Sequence, residues 1–175
     1  MKHHSSSRLL FALASFMKDY KPVLCSNMKF VFEPFGGKGL QGQHRQGFME
    51  IFACECAYEA QEAGQDPMNL DVLGRRVLRA MAHEFRHSQQ DILWETTDIP
   101  TTDQWLKMGF GPGWRPVTFI DYRNDKGEQD AKRFSQLVVN NADERFVRLI
   151  GRYSRWCVRY QMHEYLKRRE EVCED

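Results

Sequence analysis

The chain lacks any apolar run long enough to span a membrane, which requires about 20 consecutive apolar residues. It also lacks an excess of charge of either sign. The 25 lysines and arginines nearly balance the 24 aspartates and glutamates, and the net charge is +1. A strongly basic balance is typical of nucleic-acid-binding domains, so this composition does not favour that class. The sequence predicts a soluble protein, or part of a soluble assembly, with no membrane segment.

Paired cysteines and phosphate-binding loops are missing as well. The five cysteines are an odd number and form no CxxC pair, which argues against a disulfide framework and against a structural zinc site. The glycine pair Gly36-Gly37 is not followed by the GK[ST] ending of a nucleotide-binding loop. We therefore expect a reduced, intracellular protein that is not secreted.

The most informative segment present is His83-Glu84-Phe85-Arg86-His87, an HExxH motif. Residues four apart lie on one face of an α-helix, so His83 and His87 can bind one cation. Glu84 then lies beside the position of a metal-bound water. The motif predicts a zinc site of the hydrolase type. The alternative is a polar helix face on which these side chains are only solvated.

The residues around the motif predict a long amphipathic helix over 69–93. Asn69 can cap its start. Apolar residues follow at spacings of three and four, and His83 and His87 point away from them. We expect one face of this helix to be buried and the other to line a cleft. The apolar residues are Leu70, Leu73, Val77, Met81 and Phe85.

A catalytic zinc needs a third protein ligand, and Glu128 is the first candidate. It follows Gly127 and opens a segment in which Ala131, Phe134 and Val138 recur at helical spacing, which predicts a helix over 128–140. Other side chains remain open as the third ligand if the fold differs. They are Asp91, Glu95, Asp98, Asp121, Asp130 and His163.

Two segments of the chain resemble the small HExxH metallopeptidases of phages and mobile elements, which are gluzincin-like and related to the minimal-zincin and ImmA/IrrE groups. The first is Ala82-His-Glu-Phe-Arg-His-Ser-Gln-Gln90, and it is the more specific. The second is Tyr122 followed by Glu128-Gln-Asp-Ala131 and Phe134. Together they cover roughly residues 69–138.

The resemblance implies a zinc-dependent metallopeptidase with a zincin-like fold. Zinc would be held by His83, His87 and Glu128, and Glu84 would act as general base for the attack of a zinc-bound water on the peptide bond. The substrate would be a peptide or protein. The location would be the host cytoplasm or the virion. Tyr122 and His163 are candidates for stabilising the oxyanion, although a packed tyrosine and a surface histidine are the simpler interpretations.

The rest of the chain predicts a single α+β domain over 1–175, mainly helical with a small antiparallel sheet. The expected elements are a docking helix at 8–20, a β-hairpin at 28–54, an irregular loop at 96–121 and a C-terminal helix at 141–171. Within the hairpin, Phe48–Cys54 is the second expected strand. Its segment Gly47–Phe52 is the candidate for aligning a substrate backbone by strand addition, with an ordinary buried strand as the alternative.

The C-terminal helix carries a row of arginines beside an apolar stripe, from Arg145 to Arg159. We interpret the row as a solvated or partner-contacting face, through which a protein partner or a virion assembly could bind. Nucleic-acid binding is not favoured at a net charge of +1. The alternative function is a structural or interaction component, for example of a phage particle, that keeps the fold without peptidase activity.

Overall fold

A computed structural model describes residues 29–45, 48–96 and 126–172 of the chain. The expected helix at 8–20, the expected loop from residue 97 onward and Tyr122 lie outside these ranges. The described part is mainly helical with a small sheet, an α+β arrangement. Its elements are β1 (Lys29–Phe32), β2 (Gly42–Arg45), β3 (Phe48–Ile51), α1 (Ala53–Glu62), α2 (Leu70–Thr96), α3 (Lys126–Asn141) and α4 (Glu144–Glu171).

The sheet is mixed, and the prediction of a small antiparallel sheet is wrong. Its strand order is β1-β3-β2, with β1 parallel and β2 antiparallel to β3. Since β3 inserts between the two earlier strands, β1 and β3 do not form the expected hairpin at 28–54. The connection between the two strands of the expected hairpin supplies β2 instead, at Gly42–Arg45. The prediction that Gly47–Phe52 aligns a substrate is also wrong, because β3 is the central strand and both its edges are already paired.

The chain turns into a helix directly after β3, where a longer strand was expected. β3 ends at Ile51 and α1 begins at Ala53, so Cys54 belongs to the helix. Ala53, Ala57 and Ala60 are fully buried at helical spacing. Alanine and glutamate are strong helix formers, and α1 contains three alanines and three glutamates. Local propensity and burial therefore agree on a helix here.

The central helix is α2, and its apolar face forms much of the core. Leu73, Val77, Met81 and Phe85 are buried, as their spacing predicts. The side chain of Asn69 accepts hydrogen bonds from the backbone N–H groups of residues 71 and 72, at 2.9 and 3.3 Å. This satisfies N–H groups that have no partner within the helix, so α2 begins where the sequence predicts.

Two glycines bring α2 and α4 into backbone contact. A Cβ on Gly74 would lie 2.2 Å from the carbonyl oxygen of Val147, and one on Gly151 would lie 2.1 Å from that of Leu70. Neither position can hold a side chain without moving a helix. The core side of α2 is thus fixed against α4, which leaves its histidine face for α3.

α3 runs antiparallel to α2 across that face. Arg75, near the start of α2, donates to the carbonyl oxygen of Val139 near the end of α3, at 3.4 Å. His87, further along α2, contacts Glu128 in the first turn of α3. Antiparallel packing places the two predicted ligand segments opposite each other. Within the described residues, no helix has the length and apolar character needed to cross a bilayer.

Candidate metal centre

Three side chains predicted to bind a metal meet between α2 and α3. The Nε2 atoms of His83 and His87 are 3.0 Å apart. Oε2 of Glu128 lies 3.3 Å from Nε2 of His83, and Oε1 of Glu128 lies 2.9 Å from Nε2 of His87. One ligand atom from each residue lies within 4.8 Å of the others, so the group can hold a metal ion.

The spacing of these atoms fits a tetrahedral zinc site. With metal–ligand bonds of about 2.0 to 2.1 Å, tetrahedral zinc places neighbouring ligand atoms about 3.3 Å apart. The three observed separations fall between 2.9 and 3.3 Å. One cation can accept electron pairs from all three side chains at once, whereas a proton is shared by only two of them. The arrangement therefore suits a cation better than a hydrogen-bond network.

Glu128 is buried, at 5% exposure, and yet favours its charged form. Burial alone would raise the pKa of this carboxyl, but hydrogen bonds from His83 and His87 outweigh it and hold the pKa well below its usual range. The carboxylate is thus the anionic ligand that a divalent cation requires.

Glu84 lies beside the three ligands without belonging to their group. Its side chain is 7% exposed, and burial raises its pKa, although the nearby His83 and His87 partly oppose the shift. The strand β2 packs directly against it. A Cβ on Gly42 would lie 2.9 Å from Cγ of Glu84, so only glycine leaves room for the carboxylate at this position.

An open cleft of about 240 Å³ begins at His83 and Glu84. Its walls come from α2, α3 and the backbone that leads into β2. The same face of α2 supplies Arg79 and Ala80, and α3 supplies Lys132 and Ser135. The opposite wall is formed by Gly39, Leu40, Gln41 and Gly42. The cleft therefore opens beside His83, one of the three residues of the candidate metal centre.

No protein-family model matches the chain. Comparisons with curated proteins and with solved structures also find no match. The chemistry of the site therefore has to be inferred from its own atoms.

Of the residues predicted for the site, His83, Glu84, His87 and Glu128 are brought together. His163 is exposed on α4 and does not line the cleft described above. Tyr122 lies outside the described residues. So do Asp98 and Asp121, two of the alternative third ligands, and the side chains of Asp91, Glu95 and Asp130 are likewise not described.

Sequence reasoning missed the cleft residues that are not ligands. Arg79 precedes His83 by four positions, and Lys132 follows Glu128 by four. The helical spacing around the ligands could therefore have identified both. Gly42 carried no such signal, because its role depends on the packing of β2 against α2.

Proposed function

We propose that the protein is a zinc-dependent hydrolase that cleaves peptide bonds. The observation that carries the proposal is the convergence of His83, His87 and Glu128 on one point, with the buried carboxylate of Glu84 beside them. Two imidazoles and one carboxylate are a donor set of catalytic zinc sites, which keep a fourth position open for water. Calcium and magnesium, in contrast, prefer oxygen ligands throughout.

The role of each side chain follows from its chemistry and position. When bound, zinc lowers the pKa of a water molecule to about 7 and polarises a substrate carbonyl. Glu84 accepts the proton from the attacking water on its carboxylate and passes it to the nitrogen of the leaving amine. Burial favours proton acceptance, because it raises the pKa of this carboxyl.

The strand β2 supports an extended peptide as the substrate. The N–H of Phe52 donates to the carbonyl oxygen of Gln41 at 2.9 Å, so residues 41 and 43 pair with β3 through their backbone. Residues whose backbone groups bond to the neighbouring strand alternate, in an antiparallel ladder, with residues whose groups point away from it. Gly42 lies between residues 41 and 43, so its N–H and C=O groups point away from β3. β2 is an end strand of the described sheet, and Gly42 also contacts Glu84. A peptide that pairs with this edge would lie beside the metal centre.

The decisive experiment compares the wild-type protein with Glu84→Gln. Bound zinc is measured by elemental analysis, and hydrolysis is measured on a broad peptide library. We expect the variant to retain zinc and to lose cleavage by about 10²- to 10⁴-fold, because glutamine cannot accept the proton. His87→Ala is the matched variant that should lose zinc as well as cleavage.

Two results would contradict the proposal. Undiminished cleavage by Glu84→Gln would show that this carboxylate is not the base. Wild-type protein that binds zinc but cleaves no peptide would instead favour a structural or interaction component.

A further inference from the structure

Two cationic side chains line the cleft on the side away from His87. Arg79 lies one turn before His83 on α2, and Lys132 lies one turn after Glu128 on α3. The two helices run antiparallel. One turn back along α2 and one turn forward along α3 therefore lead away from the candidate metal centre in the same direction. A guanidinium and an ammonium group are therefore brought to the same end of one cleft.

The other walls of the cleft contribute few ionisable side chains. The wall from Gly39 to Gly42 has no ionisable side chain, and Leu40 and Ala80 add apolar surface. Ser135 is buried and donates to the carbonyl oxygen of Lys132 at 2.9 Å. Among the described residues that line the cleft, Glu84 is the only carboxylate, and it lies at the metal end. Arg79 and Lys132 are therefore the ionisable residues of the described lining at the far end, and both are cationic.

We propose that this end of the cleft binds a carboxylate on the substrate residue next to the scissile bond, with Arg79 as the principal anion-binding residue. The inference rests on the proposed function. Arginine suits this role because its planar group can donate two parallel hydrogen bonds to a carboxylate. Lys132 adds a second positive charge and makes the site selective for anionic over neutral side chains.

The dimensions of the cleft agree with one residue as its occupant. A helical turn advances about 5.4 Å along the axis. Neighbouring Cα atoms of a peptide lie about 3.8 Å apart. When the scissile carbonyl lies at the metal, a carboxylate on the adjacent substrate residue therefore lies about one helical turn away from that carbonyl. The volume of about 240 Å³ is below the range of about 300 to 1,000 Å³ for sites that hold drug-sized ligands.

The carboxylate can come from an aspartate or glutamate side chain or from the C-terminus of the substrate. Matched peptides separate these sources: glutamate against glutamine on either side of the scissile bond, and a free C-terminus against an amidated one. We expect at least a tenfold higher kcat/KM for one of the carboxylate forms. Equal cleavage of both members of every pair would overturn the inference while leaving the peptidase proposal intact.

The residue assignment is tested with Arg79→Gln, and Arg133→Gln is the matched control. Arg133 is an exposed arginine on α3 that does not line the cleft. We expect Arg79→Gln to reduce kcat/KM for the preferred acidic peptide by about tenfold or more, with little effect on its neutral partner. Lys132→Gln should reduce the same preference by a smaller factor. An unchanged preference in Arg79→Gln would refute the assignment.

A binding measurement separates this inference from the proposed function. Fluorescence anisotropy of the same labelled peptides is recorded on zinc-loaded Glu84→Gln, with and without Arg79→Gln. Tighter binding of the acidic peptide that depends on Arg79 would support the anion site even if no peptide were cleaved. Equal binding of the acidic and neutral peptides in both backgrounds would overturn it, whether or not the wild-type protein is a peptidase.

Discussion

Gly42 is the residue that allows Glu84 to lie between the metal ligands and β2. The α-carbon of Gly42 faces the side chain of Glu84, and a Cβ there would contact Cγ of Glu84 at 2.9 Å, the backbone oxygen of Glu50 at 3.3 Å and Cδ1 of Ile51 at 3.4 Å. The contact with Glu84 is the closest of the three, and a side chain moves more easily than backbone. The effect of a larger residue would therefore fall mainly on the position of the Glu84 carboxylate.

We predict that Gly42→Ala reduces peptide hydrolysis by about 10- to 100-fold, because small displacements of a catalytic group carry costs of this size. Zinc binding should persist, since the atoms nearest to the added Cβ belong to Glu84, Glu50 and Ile51 and not to the three candidate ligands. The measurements are kcat/KM and zinc content. Gln43→Ala is the control, because Gln43 points to the opposite face of β2 and hydrogen-bonds Glu50. Full activity in Gly42→Ala would contradict the role assigned to this contact.

At the scale of single residues, the sequence predicted the members of the candidate metal group better than their surroundings. The motif predicted that His83 and His87 share one helix face, and both belong to the group that could hold a metal ion. Glu128 depended on a second helix and a resemblance, and its side chain does reach both histidines. The approach of Gly42 to Glu84 could not be predicted, because it joins residues 42 positions apart through tertiary packing alone.

At the scale of elements, the sequence predicted helices α2 and α3, but it did not predict how the strands of the sheet pair. The apolar spacing within α2 and within α3 is a local signal, and both helices lie close to their expected positions. β2 consists of Gly-Gln-His-Arg, which has little intrinsic strand preference, and its conformation comes from pairing with β3. α1 did carry a signal in Ala53, Ala57 and Ala60, but the predicted strand Phe48–Cys54 covered its first two residues and no helix was predicted there.

A buried ion pair connects α4 to the wall of the cleft. Glu55 on α1 is 1% exposed. It accepts hydrogen bonds from Arg169 at 2.9 and 3.0 Å, from the hydroxyl of Tyr165 at 2.8 Å and from the backbone N–H of Gly39 at 2.8 Å. Burial raises the pKa of Tyr165, and the carboxylate of Glu55 adds to the shift. This network holds the loop before β2 in place.

We predict that Arg169→Met lowers the free energy of unfolding by about 2 to 3 kcal/mol, because it leaves a buried carboxylate without its cation. This figure is below that of a fully buried pair, since the side chain of Arg169 is 20% exposed. The control is Arg168→Met. Arg168 pairs with Glu164, and both side chains are nearly half exposed, so we expect a much smaller loss than in Arg169→Met. Urea denaturation measures both values. Equal losses would show that the Glu55 network contributes little.

At the scale of the whole molecule, the metal centre joins parts of the chain that are distant in sequence. His87 and Glu128 are 41 positions apart, and their contact closes the interface between α2 and α3. The opposite face of α2 is fixed on α4 by the close approaches at Gly74 and Gly151. A cation bound by all three side chains would therefore stabilise the packing of α3 on α2, and it would bind the folded chain in preference to the unfolded one.

We predict that zinc raises the melting temperature of the protein and that chelation lowers it. At a free zinc concentration of 100 times Kd, binding to the folded state alone adds about 2.7 kcal/mol. For a chain of this size, that corresponds to a rise of about 5 to 10 °C. Differential scanning fluorimetry with zinc and with EDTA measures the shift. His87→Ala and Glu128→Ala should abolish it. His163→Ala should preserve it, because that histidine is exposed and lies outside the ligand group. Loss of the zinc response in His163→Ala, or its persistence in Glu128→Ala, would show that the cation binds elsewhere.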